Sequence, residues 1–388
     1  MAILKSRCSI GSDTGFADEM SEIDLIGDDL LSEIIVRLPF KSVARSTCVS
    51  KKWRAAVSDD YLRRRLPLLM TTVYFPDDDD DTARGGGGGG PRFACAAADD
   101  DDDDDGHRLE DCDLGFLQER GGVVVCDGCN GLLLCRSPGT PEFYVFDPVT
   151  RRWAALTAPA KEATLSVLAF DPSTSPDYRV VNFTGWRDRA ATVEVFSSAT
   201  WAWTAHDAEL GGVPASSLSG SMHYHDGVLY ILASEPDCLV RLDLADFSST
   251  AVIDLPEPVD GGDGRVAHSG GRLHYICSDG ELLKVWELDD QDQLASCQWR
   301  LKHAIEVEHL VQGGCRGDEV RFLALHPEKE DVVYTWSPWK VVEFDLRKKT
   351  SCQAWEFRKG ERNRVIKTWL VPSSCYLSDC LTHCPVNC

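Results

Sequence analysis

The sequence predicts a small all-α module followed by an all-β propeller of six blades. Two observations carry this expectation. Between Ile23 and Leu66 apolar residues fall at helical spacing, and from Gly122 onward a strand-and-turn pattern recurs every 46 to 56 residues. A third observation marks the join: residues 77–106 hold two oligo-Asp runs around six consecutive glycines. With 388 residues, 43% of them hydrophobic, the chain can bury one small and one large core.

Residues 1–21 are polar and without periodicity, so no packed element is expected there. In DDLLSEIIVRL, Leu30, Leu31, Ile34, Ile35 and Leu38 make a wide stripe on one helix. Asp28 and Asp29 stand in its first turn, where the helix dipole favours acids, and Pro39 ends it. After FKSVARSTCV a helix is expected around KKWRAAV. A third is expected from the Ser58-Asp59-Asp60 cap through Tyr61, Leu62 and Leu66. Three short helices in about forty residues bury too little surface to stand alone. The module, residues 22–66, must cover part of its apolar surface with a neighbour or a partner.

The formal net charge is −23, and the runs Asp77–Asp81 and Asp99–Asp105 supply twelve of the negative charges. Without them the balance is still about −11. Such a surface repels phosphate backbones and anionic membranes, so neither nucleic acid nor membrane is an expected partner. Like charges and glycine predict that 77–106 stays solvated, as an insertion in a surface loop. The opening MAILKSRCSIGSDTGF lacks the apolar core of a secretory signal, and no apolar stretch reaches the roughly 18 residues of a membrane span. Sixteen cysteines in such a chain read as reduced thiols. The expected setting is intracellular, in cytoplasm, nucleus or both.

Five stretches share one form: an apolar strand, a turn, a second strand ending in a hydrophobic-x-hydrophobic-Asp marker, then an aromatic strand. They begin at GLLLC, YRVVN, GVLYI, GRLHY and DVVYT, and the marker falls at Asp147, Ser197, Asp243, Asp289 and Asp345. Trp153 and Trp203 follow their markers by six residues, Trp299 and Trp355 by ten. Four strands per unit at this period are the mark of a propeller blade. LPLLMTTVYF (66–75), PRFACA (91–96) and RVIKTWLVPS (364–373) are also strand-like. They predict a sixth blade built from both ends of the propeller, residues 67–373, which hides edges otherwise unpaired. Residues 374–388 hold Cys375, Cys380, Cys384 and Cys388 at loose spacing, which reads as a Cys-rich tail and not as a zinc site.

The segment DDLLSEIIVRLPFKSVARSTCVSKKWRAAVSDDYLRRRL resembles the F-box in order, spacing and residue type. The matching landmarks are Leu30, Ile34, Leu38-Pro39, Val43, Cys48-Val49, Ser50 and Trp53. It departs at the entrance, where Ile26-Gly27 stands in place of the family's usual Leu-Pro and a rigid turn is lost. CNGLLLC, the YVFDPVTRRW hairpin and the terminal strand resemble the F-box-associated propeller domains common in plants.

The resemblance implies a non-catalytic substrate receptor of a Skp–cullin–F-box ubiquitin ligase, with no cofactor. Leu30, Ile34, Leu38, Pro39, Val43, Cys48, Val49 and Trp53 would bind the Skp adaptor, and through it cullin. The propeller would hold a target protein near the transfer machinery, so that the gain is proximity.

Chemistry within the chain itself has little to point to. G-x-S-x-G, H-E-x-x-H, a P-loop and repeated Ser-x-Asp-x-Gly-x-x-Trp boxes are all absent. HYHDG places His223 and His225 on one face of a strand, a pair that suits a metal or, more commonly, an ordinary blade. Cys126, Cys129 and Cys135 offer one C-x-x-C inside strand-like sequence and read as core thiols. Trp186, Trp336 and Trp339 are the candidate target-binding aromatics, with blade packing as the competing role. Two further readings stay open: a binding scaffold outside any ligase, which would hold the adaptor without cullin, and a propeller enzyme, which would show turnover.

Overall fold

A computed structural model describes residues 26–38, 40–46, 50–57, 68–77, 92–97, 110–113, 124–148, 152–172, 174–258, 264–289, 298–310, 320–337, 340–356, 362–372 and 381. The chain divides into two compact units, Met1–Arg65 and Leu66–Cys388.

The first unit holds α1 (Asp28–Val36), α2 (Phe40–Ser46) and α3 (Lys51–Val57). Leu31, Ile35, Val43 and Val57 are buried. The helix α2 falls in FKSVARS, a stretch read from sequence as a connection. Seven residues cannot display an amphipathic period, so packing decided this helix and not its pattern. The Ser46 hydroxyl donates to the Val43 carbonyl at 2.6 Å inside it. The helix expected over 58–66 lies outside the described residues. At the entrance, Gly27 caps α1 without a side-chain hydrogen bond, and its carbonyl accepts from Leu31 N–H at 2.9 Å. Lys52 of α3 donates to the Ile26 carbonyl and sits 3.3 Å from Asp28. A lysine from the third helix thus holds the turn that Leu-Pro would have stiffened.

The described residues of the second unit form six four-stranded antiparallel sheets, a six-bladed propeller. Three strands come first: β1 (Leu68–Asp77), β2 (Arg92–Ala97) and β3 (Glu110–Asp113). Blade one follows as β4 (Val124–Cys129), β5 (Leu132–Arg136), β6 (Phe143–Asp147) and β7 (Arg152–Ala155). Blade two is β8 (Leu165–Phe170), β9 (Tyr178–Arg187), β10 (Ala190–Ser197) and β11 (Ala202–Glu209). Blade three is β12 (Leu218–His225), β13 (Val228–Ala233), β14 (Cys238–Asp243) and β15 (Thr250–Asp254). Blade four is β16 (Arg265–Ser269), β17 (Arg272–Ser278), β18 (Leu282–Asp289) and β19 (Gln298–Glu306), followed by the short helix α4 (Val307–Leu310). Blade five is β20 (Arg321–Leu325), β21 (Val332–Ser337), β22 (Lys340–Asp345) and β23 (Thr350–Glu356). The last strand, β24 (Arg362–Pro372), returns to pair with β1 from Leu68↔Pro372 to Asp77↔Arg362. The sixth blade is therefore composite, in the order β24-β1-β2-β3. Its strand β2 falls within 77–106 and pairs with β1 from Leu69↔Ala97 to Tyr74↔Arg92.

First strands touch first strands around the ring, β4 with β8, β8 with β12, β12 with β16, β16 with β20 and β20 with β24, so these are the inner strands. Turn chemistry sets the step from inner to second strand. Asn130-Gly131, Asp226-Gly227 and Gly270-Gly271 all have positive φ, the two-residue turn that matches strand twist. The repeated markers have local explanations too. The Asp243 and Asp345 carboxylates accept turn N–H groups from Ala245 and Lys348, each at 2.8 Å. The outer-strand tryptophans reach back to the preceding blade: Trp203 donates to the Thr157 carbonyl at 2.6 Å and Trp299 to that of Asp254 at 2.7 Å. The core lies between blades. Leu232, Leu239 and Ile253 of blade three, for example, pack with Leu273, Tyr275 and Leu288 of blade four.

Candidate functional site

On α1 the predicted stripe splits in two. Leu31 and Ile35 turn inward, whereas Leu30 is 58% exposed and Ile34 and Leu38 are half-buried. Spacing of four residues puts Leu30 and Ile34 in one row, continued by Leu38 just beyond the helix end, an apolar strip that is open at Leu30 and only partly covered at Ile34 and Leu38. Trp53 on α3 is half-buried; its backbone N–H is capped by the Ser50 hydroxyl at 3.2 Å, and its indole N–H finds no acceptor among the described residues. Val43 is fully buried and supports the unit from within. Pro39, Cys48 and Val49 lie outside the described residues.

In the propeller, Trp186 ends β9 and is 36% exposed, stacked on Phe183 at 5.0 Å with its indole donating to Thr164 Oγ1 at 2.7 Å. Trp336 ends β21, half-buried against the cluster of Tyr334, Val341 and Trp355. Both precede a second-to-third-strand turn and so share a rim, but blades three and four stand between them. The two tryptophans do not make one site. Trp339 lies outside the described residues.

His223 and His225 share a face of the inner strand β12, and the fold adds His268 from the inner strand β16. His223 Nε2 lies 2.9 Å from His268 Nδ1, and the His225 and His268 rings stack with centroids 3.6 Å apart. Burial, with the charges of His225 and Lys367 behind it, pushes His223 down to about 3; burial also lowers His225 and His268. The three are neutral at physiological pH. The His225 and His268 rings meet face to face, the nitrogens of His223 and His268 are spent on each other, and no group of three or more His, Cys, Asp or Glu among the described residues is placed to hold a metal. Cys126, Cys129 and Cys135 are free, and burial pushes the Cys129 thiol up to about 12.

A charged locus that pattern reasoning missed lies between blades four and five. Glu287 on β18 is only 1% exposed, with His274 of β17 opposite it on one side and Arg300 of β19 on the other. Arg272 and Arg300 both donate to its Oε1, at 2.6 and 2.5 Å, and Lys302 donates to Oε2 at 3.1 Å. Burial raises this carboxyl, but the bonds from Arg300, Lys302 and Arg272 outweigh it and hold it at about 2. Lys302 also pairs with Glu330, whose carboxylate lies where a Cβ on Gly270 would sit. Beside it, Asp331 pairs with His303 of β19 at 2.8 Å and with Arg347 of the β22–β23 turn at 3.5 Å. Arg272 also feels the charges of Glu330 and Asp289. Nothing in the strand periodicity announces this group, because its members come from three strands and two turns.

Comparison with known proteins agrees with both units. An F-box domain model matches residues 23–65, and the model "F-box protein At3g26010-like, beta-propeller" matches residues 116–374. F-box protein At5g07610 of Arabidopsis thaliana is 25% identical over 331 residues, covering 76% of this chain and 74% of the relative. Putative F-box/kelch-repeat protein At1g15680 of the same plant is 26% identical, covering 82% and 81%. F-box protein At5g49610, also of Arabidopsis thaliana, is 25% identical, covering 88% and 97%. Neither matching family is an enzyme family. Among the described residues no helix is long and apolar enough to cross a membrane. An F-box at the front, six blades behind it and a propeller match over most of that ring place the chain in the At3g26010-like β-propeller family of F-box proteins.

Proposed function

We propose that the chain is the substrate-receptor subunit of a Skp–cullin–F-box ubiquitin ligase, working inside the cell. The observation that carries this reading is the partly uncovered row of Leu30, Ile34 and Leu38 along and just past an F-box helix, in a chain that also holds a propeller. The row, with Trp53 and the sequence-matched Pro39, Cys48 and Val49, docks on the Skp adaptor, and Val43 supports it from within. Covering an apolar strip of this kind is favourable at about 25 cal/mol per Å² removed from water. The propeller holds the target protein, and Trp186, with its stacked and largely fixed ring, is one candidate contact, alongside Trp336 and Trp339. No step of ubiquitin transfer is asked of the chain; it raises the local concentration of target lysines.

Affinity purification of the tagged full chain from plant cells tests this. Adaptor and cullin together in the eluate are the expected result. Adaptor without cullin would favour a scaffold outside the ligase, and absence of both would overturn the assignment.

A further inference from the structure

Blade two carries a short polar row within its interface with blade one. Ser166 of β8 pairs with Asn182 of β9, and Asn182 pairs with Glu194 of β10, so the three side chains stand side by side on one face. Two residues away on each strand, Leu168, Val180 and Phe196 pack with Leu134, Phe143 and Val145 of blade one, so the row faces that blade. Ser166, Asn182 and Glu194 are 9%, 0% and 3% exposed.

The hydrogen bonding of this row is incomplete. Neither the amide nitrogen nor the amide oxygen of Asn182 has a partner, and the Ser166 hydroxyl makes no bond among the described residues. Glu194 accepts with Oε2 alone, from the Ala160 and Lys161 backbone N–H groups at 2.8 and 3.4 Å. No Lys, Arg or His among the described residues pairs with this carboxylate; the charge of Arg136, on the facing blade, acts on Cys126 instead. A buried carboxylate with an unbonded oxygen, beside an orphan amide, costs free energy until something polar and positive meets both.

Blade two fastens the loop between β7 and β8, residues 156–164, at three points. The Thr157 carbonyl accepts from Trp203, the Ala160 and Lys161 N–H groups donate to Glu194, and Thr164 Oγ1 accepts from Trp186. Pro159 and Ala163 of this loop are buried. One oxygen of Glu194 is thus taken up by the loop, and the other is left for the row.

We propose that Glu194 Oε1, Asn182 Oδ1 and the Ser166 hydroxyl bind a monovalent metal cation, potassium in the cell. All three donors are oxygen, which selects a hard cation over zinc or copper. One carboxylate, already partly satisfied by two N–H groups, balances a single charge, whereas calcium sites gather several acids. Magnesium demands near-octahedral geometry, which three side chains in a line do not offer. The bound ion steadies the loop through Glu194, and with it Thr164 and the Trp186 ring bonded there. The inference does not rest on the receptor reading, and either can fail without the other.

The test is thermal melting of the full chain at one fixed ionic strength in KCl, NaCl or tetramethylammonium chloride. Tetramethylammonium is too large for the row, and fixed ionic strength keeps general screening of the Asp runs equal. Potassium is expected to raise the melting temperature by about 2–4 °C over tetramethylammonium, as for a ligand that binds only the folded chain. Asn182→Leu and Glu194→Gln should each remove that difference, and Asn182→Leu serves alone if Glu194→Gln fails to fold. Asn182→Asp, which adds a second carboxylate, should instead be stabilised by millimolar calcium. Changing Asp99–Asp105 to Asn should leave the potassium effect in place. Equal melting of the wild type in all three salts would overturn the proposal and leave the row to water. A potassium effect that survives Asn182→Leu would place the ion elsewhere and overturn it too. A larger wild-type response to calcium than to potassium would overturn the choice of a monovalent ion.

Discussion

Lys367 on the last strand pairs with Asp127 on the first inner strand, across 240 residues of sequence. Asp127 also accepts from the Leu168 backbone N–H of blade two at 2.9 Å, so one carboxylate ties together the composite blade, blade one and blade two. Next to it, Gly128 faces the Trp369 ring so closely that a Cβ would lie 3.0 Å from it.

That closeness makes the seam sensitive to a single added group. Gly128→Val should destabilise the propeller by about 1–3 kcal/mol, the usual cost of overpacking. Urea unfolding of the full chain measures it; an unchanged midpoint would mean that the seam is loosely packed. Ending the chain at Asn363 removes most of β24 and bares the β1 edge, so aggregation by light scattering is expected in place of a modest loss of stability.

The split stripe on α1 separates docking from folding. Leu30→Asp should abolish adaptor pull-down while changing stability by no more than about 0.5 kcal/mol, as for other surface substitutions. Leu31→Ala should cost about 2–5 kcal/mol through the cavity it leaves. Equal effects of the two variants on melting would show that Leu30 is also covered within the chain.

Gly27 has φ −63° and ψ 152°, with nothing within 4 Å of a prospective Cβ. Gly27→Pro fits this backbone and should stabilise the helical unit by about 0.4–1 kcal/mol by restricting the unfolded chain. Thermal melting of the purified chain, with adaptor affinity measured alongside, checks it. A lower melting temperature would mean that the entrance turn needs freedom that proline denies.

Acid should unfold the propeller in two overlapping stages. His223 titrates at about 3 in the fold against an ordinary 6.5, so the unfolded chain takes the proton first. Its contribution is whole above 6.5 and is lost as pH falls toward 3. Glu287, held at about 2 against an ordinary 4.5, contributes fully above 4.5 and loses that contribution as pH falls toward 2. Melting temperature should therefore be level above neutrality, decline below about 6.5 and fall faster below about 4.5. Glu287→Gln should shrink the lower stage, and His223→Asn should shrink the upper, to which the lowered His225 and His268 also contribute.

Much of the fold could be read in advance, because its signals are local and repeated. The Asp243 and Asp345 markers recur because each caps its turn, and Trp203 and Trp299 recur because each bonds back to the preceding blade. The composite blade was legible as leftover strand pattern at both ends. The helix α2 was not, being too short for a period. The inner partner of the HYHDG pair, His268, was invisible because blade stacking brings it there from 43 residues beyond His225. The same holds for Arg272 and Arg300, which strand pairing within blade four brings to Glu287, and for Arg347, which the packing of blade five on blade four brings to Asp331 beside His303.

The pairing of β1 with β24 has a consequence for synthesis. Thr71 and Trp369, bonded in the finished blade, are 298 residues apart, and ribosomes add about 5–20 residues per second. On the ribosome, the edge of β1 thus waits roughly 15–60 s for the strand that covers it, while blades one to five emerge and stack. The nascent chain spends that interval with an open, apolar strand available to strangers, and chaperone demand should fall sharply once β24 has left the tunnel.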